Sequence, residues 1–182
     1  EDDLVRHLTD TGRRELVDEY ARIRRGETPS RSENLLYFVL RDYMEAHRGD
    51  RVWDQREEEE ALCGIKHIDS HHVFDVEAQV IEMSRLRPDW FDPRLKGADL
   101  DQLAGSDAVI VNIDYPLGMG AYHILSQIAT NVDSLLGVYS LGKAATLNGR
   151  VGDVMIPYVV HDEHSRNTYL FNNCFTAANV AP

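Results

Sequence analysis

The chain has 182 residues, 43% of them hydrophobic, and a formal net charge of −12, which suffices for one ordinary domain or a domain with a helical attachment. That charge disfavours unassisted binding to DNA or RNA, because phosphates meet a repelling field, while a local pocket for a small anion stays open. No apolar run reaches the roughly 18 residues of a membrane helix, and the N-terminus lacks the basic, apolar and small-residue succession of a signal peptide, so no membrane association and a cytoplasmic address are expected. Cys63 and Cys174 are the two cysteines and belong to no paired motif, so both are expected as reduced, partly buried thiols. The chain begins at Glu1 and ends at Pro182, directly after an apolar stretch; such ends are expected of a piece cut from something longer.

Leu16, Val17, Tyr20 and Ile23 stand at helical spacing and predict a helix over residues 13–25, with Gly26 as its stop and Leu4 and Leu8 in an earlier turn. Residues 28–32 are a connector whose serines can cap a second helix over 33–48, ending at Gly49. Leu35, Leu36, Phe38, Val39, Leu40, Tyr43 and Met44 are too many for one narrow stripe, so burial over much of that helix is expected, under an α/β unit or against another subunit. The run Glu57-Glu58-Glu59-Glu60 reads as a solvated helix face without chemistry.

His67-Ile68-Asp69-Ser70-His71-His72 is the densest histidine cluster. Imidazole and carboxylate suit zinc or iron, but the spacing matches neither the His-Glu-x-x-His helix nor a zinc finger. A polar turn or subunit contact is therefore expected, and neither a metal nor any other cofactor is assigned. Val76, Val80, Ile81 and Met83 extend the helical reading over residues 74–86, which Pro88 and Pro93 end. A linker with a short helix over 99–103 follows. A composition shift near Gly105 divides a mainly helical part, 1–105, from an α/β core, 106–182.

Residues 107–113 read as a strand. The loop Tyr115-Pro116-Leu117-Gly118-Met119-Gly120 follows, then a helix over 121–131 carrying Ile124, Leu125 and Ile128, a second strand over 136–141, and the turn Gly142-Lys143-Ala144-Ala145-Thr146. Two strands joined by a crossover helix form a βαβ unit, which places a ligand at the carboxyl ends of its strands. Glycines there let backbone N–H groups approach an anion or a ribose, and a helix N-terminus favours negative charge; a plain tight turn is the simpler role. Residues 147–157 give a polar, glycine-containing bend and then an apolar strand extending toward Val160, closed by His161-Asp162-Glu163-His164-Ser165, with one more beginning over 168–171.

The order of strand, Gly118-Met119-Gly120, helix, strand, Gly142 turn and Val151-Gly152-Asp153-Val154-Met155-Ile156-Pro157 resembles the nucleoside phosphorylase superfamily, which includes purine and uridine phosphorylases and the related nucleosidases. The resemblance covers roughly residues 107–168. It implies a three-layer α/β sandwich with a helical N-terminal part, a homo-oligomer, and cleavage of N-glycosidic bonds by phosphate or water. Family members commonly carry serine or threonine directly after the second glycine, where this chain has Lys143. Lysine meets an anion as a point charge and lacks a hydroxyl's donor and acceptor pattern, so hydrolysis is expected over phosphorolysis.

The family's early glycine loop, its ribose-gripping Met-Glu segment and its late purine-protonating aspartate have no counterpart here, and no catalytic residue is assigned. The resemblance implies that Gly118, Met119 and Gly120 shape the sugar side while Gly142, Lys143 and Thr146 form an anion-contacting turn. Asp162 is carried as a ligand contact, with a surface turn as its simpler role. Tyr115, Tyr122 and His123 either stack on a base or ribose or pack in the core. The expected partner is a nucleoside or nucleotide, with phosphate as a further ligand. The alternative is a non-catalytic nucleotide-binding or assembly protein on the same scaffold.

Overall fold

The computed structural model describes residues 2–28, 31–68, 76–95, 99–114, 116, 118–143, 147 and 149–180. Over these the protein is a mixed α/β chain of six helices and two small antiparallel sheets, divided into two compact units, Glu1–Pro116 and Leu117–Pro182.

The first unit begins with three helices, α1 (Asp2–Asp10), α2 (Arg14–Arg24) and α3 (Ser32–Ala46). Leu8 of α1 and Leu35 and Val39 of α3 form a buried cluster, against which Leu4, Leu16, Val17, Tyr20 and Ile23 pack. An isolated helix of nine residues is too short to hold itself in water, so α1 depends on burying Leu8. The stop at Gly26 is realised: its φ is +70°, its N–H donates to the Ile23 carbonyl at 2.9 Å, and the Glu27 N–H donates to that of Arg22 at 3.0 Å. This double bond pattern is the Schellman motif, for which glycine's freedom at positive φ is suited. An Arg13–Asp42 ion pair ties the α1–α2 turn to α3. Contrary to the capping expectation, Arg31 is the N-cap of α3, with no side-chain cap bond. Burial of α3 is one-sided: Leu35, Val39 and Met44 are buried, whereas Tyr37, Phe38 and Leu40 are exposed.

Helix α4 (Arg51–Leu62) is joined to α3 by the Trp53 indole N–H, which donates to the Met44 carbonyl at 2.6 Å. Glu57, Glu58 and Glu59 are exposed, as a solvated face requires. The chain then turns at Gly64 (φ +77°) into β1 (Ile65–Ile68). A Cβ on Gly64 would lie 2.6 Å from the Arg85 Cβ, so glycine is needed here for close approach as well as for conformation.

Over 76–86, the described part of the helix expected over 74–86, no α-helix is formed. Ala78–Glu82 is strand β2, the centre of a sheet in the order β1-β2-β3, with β3 at Val109–Ile113 as expected. Ile81 sits opposite Ile65 on one side and Ile110 on the other. The β-branched pair Val80-Ile81 suits such a ladder, and a short apolar run does not distinguish helix from strand by periodicity alone. Three short 3-10 turns, Pro88–Trp90, Pro93–Leu95 and Asp101–Gly105, occupy the linker.

In the second unit, α5 spans Gly118–Asn131, so Gly118-Met119-Gly120 is the first helical turn rather than a loop before it. The strand expected over 136–141 is absent; Leu136 and Leu141 are 86% and 98% exposed. Apolar alternation makes a segment competent for strand, but a ladder needs a partner, and β3 pairs antiparallel with β2. The βαβ crossover is therefore not formed among the described residues. The later strand is β4 (Val159–Asp162), which lies at the far end of the expected strand and runs into the segment expected to close it, and it pairs antiparallel with β5 (Asn167–Leu170). Helix α6 (Ala177–Val180) ends the described chain. Among the described residues no helix is long and apolar enough to cross a membrane.

Candidate functional site

The N–H groups of a first helical turn have no intrahelical acceptors and carry the positive end of the helix dipole. In α5 that turn is Gly118-Met119-Gly120, entered at a Gly118 φ of +51°. Among the described residues, a Cβ placed on Gly118 or Gly120 meets no atom within 4 Å. Met119 is exposed, and Tyr122 and His123 follow with their rings edge to face at 5.5 Å. Among the described residues, a Cβ on Gly142 likewise meets no atom within 4 Å. Lys143 is exposed and, among the described residues, enters no hydrogen bond or ion pair. Thr146 and Tyr115 lie outside the described residues.

Asp162 ends β4 with both carboxylate oxygens engaged. Oδ2 accepts the Ser165 hydroxyl at 2.5 Å, and Oδ1 accepts the His164 N–H at 3.0 Å. These bonds, that from Ser165 foremost, hold its carboxyl below the usual carboxylate range. Arg166 turns at φ +58° to enter β5, and His161 Nδ1 lies 3.1 Å from the Thr168 hydroxyl across the pair. Asp162 thus holds the hairpin turn over 163–166. No hydrogen bond or ion pair among the described residues joins the α5 glycines, Lys143 and Asp162 to one another.

Of the histidine cluster, His67 stands in β1 with Nε2 2.5 Å from Glu60 Oε2, and Glu60 Oε1 accepts the Arg56 Nε–H at 2.8 Å. His71 and His72 lie outside the described residues. Among the described residues, no group of three or more His, Cys, Asp or Glu could hold a metal ion.

Two clusters in the first unit escape sequence spacing. Asp92 accepts the Arg94 Nε–H at 2.8 Å, a second Arg94 guanidinium N–H at 2.7 Å and the Tyr37 hydroxyl at 2.7 Å, while Arg94 also donates to Asn34 Oδ1 at 2.8 Å. Arg94, then Tyr37, hold the Asp92 carboxyl far below the carboxylate range, and the same bond raises the Tyr37 phenol. The second cluster is His7, Tyr43 and His47. Tyr43 and His47 share a face of α3 by their i, i+4 spacing, but only the docking of α1 brings His7 to them, 5.3 Å and 5.9 Å away between ring centroids.

No curated protein and no solved structure matches the chain. The model of one family, DUF6909, described as a family of unknown function, matches residues 1–182, and the chain belongs to that family.

Proposed function

We propose that this protein binds a nucleoside or nucleotide in the cytoplasm and cleaves its N-glycosidic bond, with water favoured over phosphate as the acceptor. The observation that carries the reading is the ordered series Gly118-Met119-Gly120, Gly142-Lys143 and Val151-Gly152-Asp153-Val154, with its similarity to the nucleoside phosphorylase superfamily. The first turn of α5 supports it: N–H groups at a helix N-terminus suit a phosphate or ribose oxygen, and among the described residues no atom lies within 4 Å of a Cβ built on Gly118 or Gly120. Lys143, exposed and unpaired among the described residues, supports an anion contact at the second turn. In this reading the fold is the three-layer sandwich of that superfamily, residues 136–141 act as one of its strands, and the protein works as a homo-oligomer.

The test is release of free base from a panel of nucleosides and nucleotides, with and without phosphate. Release that does not depend on phosphate is expected, and Lys143→Ala should weaken nucleotide binding more than nucleoside binding. Lys143→Ala without effect on either would remove the anion-turn assignment. The second reading, a nucleotide-binding or assembly protein without catalysis, is favoured by the exposed apolar residues Leu136, Val138, Tyr139 and Leu141. These suit a surface that another chain covers. No release from any substrate, with binding retained, would select it.

A further inference from the structure

We infer that the outer edge of β3 pairs antiparallel with the same strand of a second copy of this chain, joining two three-stranded sheets across a two-fold axis at Val111. The first observation is that this edge is open. In an antiparallel ladder the bonded residues alternate. The Ala108 carbonyl accepts the Met83 N–H at 3.1 Å, and the Asp114 N–H donates to the Glu77 carbonyl at 2.9 Å. In the register that sets Val111 opposite Val80, the even-numbered residues of β3 therefore turn their backbone groups to β2. Those of Val109, Val111 and Ile113 point the other way, and among the described residues β3 has no strand on that side. Val109, Ile110 and Val111 are 51%, 46% and 41% exposed. Successive side chains of a strand alternate between faces, so both faces are accessible along this edge.

The second observation is the contrast between the two edges of the sheet. β1, the opposite edge, carries Lys66 and His67, and His67 is bonded to Glu60 of α4; charge and cover are how folded proteins keep a sheet edge from pairing. Residues 108–113 hold no charged residue and no proline. The third observation is the match of the strand to itself. With Val111 opposite its own copy, Val109 falls opposite Ile113, so β-branched residues pair along one face and the outward backbone groups meet in bonded pairs. Neither Asp107 nor Asp114 then opposes an acidic residue. Copies of a chain with net charge −12 repel one another, and this uncharged edge lets two of them close without facing charges. A strand pair alone buries less than the roughly 1,200 Å² of stable complexes, so the dimer depends on concentration. The inference rests on the homo-oligomer of the proposed function, for which it names the surface, and not on the glycosidic chemistry.

The test is sedimentation velocity of the full chain over a wide range of concentration, for the natural protein, Val111→Lys, Val111→Glu and an equal mixture of the two variants, with base release followed separately. The natural chain is expected to form dimers as concentration rises. Each variant sets like charges face to face on the axis and should stay monomeric where the natural chain is dimeric. The mixture should recover the dimer, because lysine then meets glutamate. A monomeric natural chain, a variant that still dimerises, or a mixture without recovery would overturn the proposal. If either charge abolishes the circular dichroism of the fold, Val111→Cys in a Cys63→Ala, Cys174→Ala background takes its place. Mild oxidation should then link two chains covalently, and chains that stay single would overturn the pairing. Dimers without base release support the pairing and count only against the glycosidic reading, so the two fail separately.

Discussion

The two units treat their apolar residues in opposite ways. In the first, Leu8, Leu35 and Val39 are withdrawn from water and five further hydrophobics close around them. In the second, none of the described residues is buried, and Leu136, Leu141 and Leu170 stand in solvent. The difference lies in neighbours more than composition. Helices α1, α2 and α3 have one another's faces to pack against, whereas α5 and the β4–β5 hairpin do not cover the apolar segment over 132–141. A sequence can therefore be rich in core-type residues and still have its burial depend on what is placed beside it. The unit with the settled core carries the structural clusters, and the unit with open apolar and glycine surface carries the proposed ligand contacts.

The sharpest way to break this contrast is to truncate each side. Leu8→Ala should cost about 2–5 kcal/mol in denaturant unfolding, because Leu8 is 2% exposed and its removal leaves a cavity under α1. Gly64→Ala should cost roughly 1–3 kcal/mol, since the positive φ penalises a Cβ and that Cβ would collide with Arg85; an unchanged denaturation midpoint would refute the close approach. Asp92→Asn should have a smaller effect that depends on pH. The folded carboxyl of Asp92 is held below its unfolded value by Arg94 and Tyr37. Its stabilising contribution is therefore present above about pH 4, the unfolded carboxylate range, and fades as pH falls toward the folded value. Stability curves of the natural and Asp92→Asn chains should converge on acidification; parallel curves would show that the network adds nothing. Leu141→Ala should change stability by no more than about 0.5 kcal/mol, and a cost like that of Leu8 would show that residue 141 is covered in solution.

Local signals made much of the first unit legible. Gly26 and Gly49 mark helix ends, and the 16, 17, 20, 23 spacing marks the half-buried face of α2 that packs on the core. Strand β2 was hidden because Val76, Val80, Ile81 and Met83 fit a helical period as well as a ladder. The histidine and Asp92 clusters were hidden for a different reason: each joins residues from separate elements, and no spacing rule reaches across them. In the second unit, α5 and the two strands of the hairpin were legible, whereas the parallel unit around Gly118 and Gly142 is not formed among the described residues. Its motif order is a property of sequence, while a βαβ unit also requires 136–141 to find a ladder partner.

The measurement that bears most directly on the functional claim is amide hydrogen exchange of the full chain with and without a nucleotide. Protection gained at the first turn of α5 and over residues 136–143, with α1, α2 and α3 unchanged, is the predicted result. Protection confined to the first unit, or no change at either glycine turn under saturating nucleotide, would contradict it.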